Sequence, residues 1–149
     1  MEKVVAVLMA ADRDEDWCQR QRGPVADAIL GLGVSGLAVN VRDAAVRHSL
    51  MTLTTLDPPV AAVVSVWTQQ CYGDQIAAVL RLLEMECDSV AAYLVTESVP
   101  LQAPLELGSR TTGLANIALL RRPAELDQAS WLSRWQLGHT TVALSLIHI

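Results

Sequence analysis

The chain has 149 residues, enough for one ordinary domain or for one small domain and part of another. Hydrophobic residues at 52% supply a core, and with charged residues at 18% the chain is not a disordered one. The net charge of −5, with no basic stripe, argues against a nucleic-acid partner.

Residues 4–11, "VVAVLMAA", form an apolar run closed by the acidic turn "DRDED" and read as a buried first strand. At eight residues this run is far too short to span a bilayer, which takes about 20, so no membrane partner is expected. The mixed start Met1-Glu2-Lys3 and the acids that follow the run do not resemble a signal peptide. Trp17, Gln21 and Val25 then recur at four-residue steps, continued by Ala28, Ile29 and Leu32. Gly23-Pro24 interrupts this pattern, and because proline suits a first helical turn, the regular helix is predicted to begin near Pro24. Gly31 to Gly33 ends it.

Residues 34–41 make the second predicted strand, and a long connection punctuated by Asp57-Pro58-Pro59 follows. Val60–Thr68 is the third strand, residues 74–86 the second helix, and residues 89–100 the fourth strand, closed by Pro100. The order β-α-β-β-α-β over the first hundred residues predicts an α+β fold. It is a ferredoxin-like unit with both helices on one face of an antiparallel sheet. The other face is left to pair with something else. A polar linker over residues 101–112 precedes a second start. A strand at 114–123 is followed by a helix that Asp127 caps. Strand, polar turn and Trp131 repeat the earlier strand, turn and Trp17. Residues 113–143 therefore read as an incomplete second unit.

The residues "WLSRWQLGHT" after "NIALLRRP", together with "VVSVW" and "YLVTESVPL", resemble the EthD family of the dimeric α/β-barrel superfamily. That family carries an aromatic, a second aromatic four residues on, and a histidine four residues later. Here these are Trp131, Trp135 and His139. The first-half equivalents, Trp17, Gln21 and Val25, lack the second aromatic and the histidine. The resemblance implies two ferredoxin-like units packed sheet to sheet around a cavity for a small apolar or aromatic ligand. The second barrel half comes from the same full-length chain or from a homodimer. The last six residues, 144–149, equal a translation of CTG TCT CTT ATA CAC ATC, a transposase end used in sequencing libraries. They are read as a non-native tail, and His148 is given no functional weight.

The candidate site follows from this. His139 is the candidate catalytic acid–base group, because imidazole changes charge near neutral pH. Its plainer role is to cap or bond nearby backbone. Trp131, Trp135, Glu97, Tyr93 and Trp67 are candidate substrate-binding residues, though each tryptophan could equally be a core anchor. Alternation places Tyr93, Val95 and Glu97 on one sheet face, where enclosure in a barrel would raise the Glu97 pKa, whereas a strand-end glutamate more often points to solvent. Arg121-Arg122 could hold an anion or simply lie in a solvated turn. Cys18, Cys71 and Cys87 form an odd set without metal spacing, which suits free thiols in the cytoplasm.

No metal or cofactor is expected. Two functional classes stand open. One is cofactor-independent acid–base chemistry of lyase, isomerase or oxygenase-like type. The other is non-catalytic small-ligand binding by an accessory protein of a degradation pathway.

Overall fold

The computed structural model describes residues 1–11, 13–49, 56–97, 99 and 106–139. The chain divides into two compact units after Ala115. The first is the α+β, ferredoxin-like unit. Its strands are β1 (Glu2–Met9), β2 (Gly36–Val41), β3 (Val60–Thr68) and β4 (Ser89–Val95), in sheet order β2-β3-β1-β4. Every neighbouring pair is antiparallel.

Strand β3 spans the predicted residues. Strand β1 lies two residues earlier than its apolar run suggested. Glu2 and Lys3 pair with Thr68 and Trp67, so the ladder recruits charged residues that composition would leave out. Strand β4 stops at Val95 rather than running toward Pro100. Val95 faces Lys3, and this is the last pair of the β1–β4 ladder.

The first helix also starts earlier than predicted. Asp14 accepts the Trp17 backbone N–H at 2.8 Å and caps α1 (Glu15–Arg20). The chain passes through a π-helical turn, Gln21–Val25, into α2 (Ala26–Gly31). Pro24 sits within that turn. In an α-helix its ring would press on the Arg20 carbonyl, four residues back. The wider π spacing relieves that clash, so the proline widens the helix instead of starting it. Gly33, at φ 77°, provides the left-handed end, and its N–H reaches the Leu30 carbonyl at 2.9 Å.

The core lies between the helices and one sheet face. Val4, Ala6 and Leu8 from β1 and Ala62, Val64 and Val66 from β3 are buried there. Against them pack Trp17, Cys18 and Ile29 of the first helical stretch and Ile76, Val79 and Leu83 of α3 (Asp74–Glu84). Both helical stretches therefore bury their apolar stripes on the same side of the sheet. Trp17 is 2% exposed, and its Nε1 donates to the Glu86 carbonyl at 2.8 Å, so its one polar group is satisfied.

In the second unit, Asp127 caps α4 (Gln128–Ser133), accepting the Ser130 N–H at 2.9 Å and the Ser130 hydroxyl at 2.7 Å. A π-helical turn, Arg134–His139, follows. Both units thus show an aspartate cap, a six-residue α-helix and then a π turn. The predicted strand over residues 114–123 is a correction. These residues have no strand conformation, and Leu114, Ile117, Leu119 and Leu120 are exposed. An extended segment without a ladder neighbour keeps its backbone groups hydrated and gains nothing from pleating. Of the predicted fourth strand, linker, second unit and tail, residues 98, 100–105 and 140–149 lie outside the described residues.

Candidate functional site

The register decides which predicted residues meet. Trp67 is opposite Lys3 in β3, Val95 is opposite Lys3 in β4, and Tyr93 is opposite Val5. Side chains directly opposite share a face. Lys3, Trp67, Tyr93 and Val95 therefore lie on the sheet face turned away from the helices. Gly36 is opposite Trp67, and a Cβ there would come within 3.3 Å of the indole ring. The absent side chain is what lets the tryptophan lie over β2.

Glu97 follows two residues after the end of β4, and its side chain returns to the same place. Its Oε1 is 2.7 Å from Lys3 Nζ, and its Oε2 accepts the Trp67 Nε1–H at 2.9 Å. Lys3 Nζ also lies 4.4 Å from the Trp67 ring centroid, a cation–π contact. Three side chains from three strands or strand ends hold one another. Tyr93 is on the same face and 54% exposed.

The electrostatics bear on the enclosed reading of Glu97. The Lys3 ammonium, and after it the Trp67 N–H, hold the Glu97 carboxyl below the usual carboxylate range. Enclosure would have raised it. Glu97 is thus a fixed anion with both oxygens occupied, suited to orienting a neighbour and unsuited to donating a proton near neutral pH. Sequence reasoning missed Lys3, although its place opposite Trp67 follows once the β1–β3 register is known.

Trp131, Trp135 and His139 come together on one side of the second unit's helical stretch. The two indoles stack at 6.3 Å between centroids and 26° between planes. The Trp135 and His139 rings stack at 4.1 Å and 9°. The four-residue spacing produces this column, and the π turn carries it through Gly138 without a break. A flat imidazole on an indole face can extend the same stack to a planar group. The two tryptophans are half-buried and His139 is exposed.

Other candidates resolve more plainly. Cys18, Cys71 and Cys87 are free thiols. Burial pushes Cys18 and Cys87 up, and the hydrogen-bonded Glu2 carboxylate pushes Cys71 up, so none is an activated nucleophile. Arg121 and Arg122 are exposed, and Arg122 donates to the Leu126 carbonyl. Among the described residues, no group of three or more His, Cys, Asp or Glu could hold a metal ion.

No pattern in the sequence points to the buried Asp43. It accepts from Arg22 at 2.7 Å, lies 2.9 Å from Arg110 and accepts the Ala45 N–H at 3.1 Å. Burial alone would raise its pKa, but these partners together outweigh that and leave it lowered. It is a structural tie between the π turn and the segment around Arg110.

Two shallow cavities of about 330 and 360 Å³ are lined by none of the predicted site residues. No helix among the described residues is long and apolar enough to cross a membrane. Comparison with protein-family models finds no match, and comparison with curated proteins finds none either.

Proposed function

We propose that this chain handles a small hydrophobic or aromatic organic molecule on the helix-free face of its sheet, in the manner of the EthD-like dimeric α/β-barrel proteins it resembles. The observation that carries the reading is the pre-assembled Lys3–Trp67–Glu97 group on that face, with Tyr93 beside it. A second ferredoxin-like unit, from a longer chain or a second copy, covers the face and encloses the ligand. Aromatic rings supply apolar contact there, and a charged pair supplies orientation. Three free cysteines suit a reducing compartment, and we place the protein in the cytoplasm.

In the catalytic form of this reading, His139 is the acid–base group that the EthD resemblance implies, acting without a cofactor, and Trp131 and Trp135 set the orientation of its ring. A second, non-catalytic reading is favoured by two observations. Glu97 is locked as an anion. The first unit buries its equivalent Trp17 in the core, which supports an anchoring role for helix tryptophans at this spacing.

His139→Ala and Trp67→Ala distinguish the two readings. In the catalytic reading, H139A abolishes turnover of an aromatic ligand that still binds, and W67A weakens binding. Binding of a ligand with no turnover by the unaltered protein selects the accessory reading. Retention of both ligand affinity and turnover in both variants would sink the site altogether.

A further inference from the structure

A groove at the opposite end of β1 has a separate chemistry. Lys3 and Ala10 are seven residues apart along the strand direction, about 23 Å. The groove is therefore distinct from the face carrying Trp67 and Glu97. Its volume is about 360 Å³, and its lining includes Arg13, Arg42, Arg47, Asp14 and the short apolar wall Pro59-Val60-Ala61. Three arginines on one groove are notable in a chain of net charge −5.

Their guanidinium groups are held in series. Arg42 Nη2 donates to the Arg47 carbonyl at 3.4 Å, and Arg47 Nη2 donates to the Arg13 carbonyl at 3.0 Å. Arg13 Nη2 in turn donates to Asp88 at 3.2 Å and its guanidinium lies 5.9 Å from the Trp17 ring. Only Arg13 has a carboxylate partner among the described residues; Arg42 and Arg47 have none. The Nε atoms of Arg13 and Arg42 are buried and make no hydrogen bond. Asp14 is the acid of the lining, and it accepts from the Trp17 N–H as a helix cap. Among the described lining residues, three arginines stand against the one carboxylate of Asp14, and Asp88 pairs with Arg13 from outside the lining. Carbonyl-anchored guanidinium forks are pre-organised for planar, multidentate oxyanions, so little side-chain entropy remains to be lost on binding.

We infer that this groove binds a small oxyanion-bearing molecule, its carboxylate or phosphate head on Arg42 and Arg47 and a short apolar part against Pro59, Val60 and Ala61. The volume lies at the low end of ligand sites and suits a metabolite-sized acid rather than a polymer.

The test is titration of the whole chain with inorganic phosphate, acetate and butyrate at constant ionic strength. Binding is read by calorimetry and by the arginine Nε–H resonances. Saturable binding of at least one anion is expected, with the Arg42 and Arg47 resonances moving together and that of Arg81 on α3 staying fixed. Preference for phosphate identifies a phosphate head, and preference for butyrate over acetate identifies a carboxylate with an apolar tail. Arg47→Gln should weaken the binding about tenfold or more, while Arg81→Gln leaves it unchanged. Absence of saturable binding with all three anions, or equal behaviour of R47Q and R81Q, overturns the inference. The resonance shifts of the unaltered protein decide the matter even where a variant misfolds.

Discussion

At the residue scale, the clearest change concerns Glu97. Alternation along the fourth strand places it with Tyr93 and Val95. The identity of its partners depends on Lys3 and Trp67 arriving from β1 and β3, so its ionisation was not legible in the sequence. Its folded pKa lies below the ordinary carboxylate value. A depressed pKa contributes stability that is present above the unfolded-state value and is lost as pH falls through the folded one. Glu97→Gln should therefore be less stable than the unaltered protein at neutral pH. That difference should shrink as the pH drops through about 4 and below. Partial exposure of the pair keeps the effect small. Urea unfolding at a series of pH values measures it, and a difference that does not vary with pH would show that the Lys3 contact is electrostatically idle.

At the element scale, the helix start shows how a local rule gave the wrong boundary. Proline at a first turn is a sound preference, but the Asp14 cap and the burial of Trp17 and Gln21 draw the helix back to Glu15. The π turn then absorbs Pro24. Asp14→Ala should destabilise the protein by about 1 kcal/mol, and Asp14→Asn should restore most of that, since the amide oxygen can still accept the Trp17 N–H. Chemical denaturation of both variants checks this. Equal loss in both would point to the charge rather than the cap. Asp127, by contrast, was legible as a cap, because its signal is confined to three neighbouring residues. The repeated cap, helix and π turn also place the two tryptophans differently. Trp17 stands three residues after its cap and Trp131 four, which turns the side chains about 100° apart around the helix.

At the scale of the whole molecule, stability is concentrated in the first unit. Leu83 is fully buried between α3 and the sheet, whereas Leu119 is 52% exposed. Leu83→Ala should cost about 2–5 kcal/mol, while Leu119→Ser should stay within about 0.5 kcal/mol. Comparable losses in unfolding experiments would mean that residues 114–123 are packed in solution, as a strand with a partner would be. The β-α-β-β-α-β order and the handedness of crossovers made the sheet topology readable before any coordinates. The missing fifth strand was not readable, because its apolar pattern resembles that of β1 and only the presence of a neighbour makes a strand.

The sequence by itself determined the elements of the first unit, their antiparallel order and the sheet face that the helices cover. Those depend on periodicity, on turn residues and on general rules of connection, all of which are local or generic. Only the tertiary structure decided that Lys3 locks Glu97 against Trp67, that Asp43 is buried between Arg22 and Arg110, and that Arg13, Arg42 and Arg47 line one groove. Each of these depends on side chains far apart in the chain meeting at atomic distance. Register and backbone path set that distance, and no pattern within a single segment encodes it.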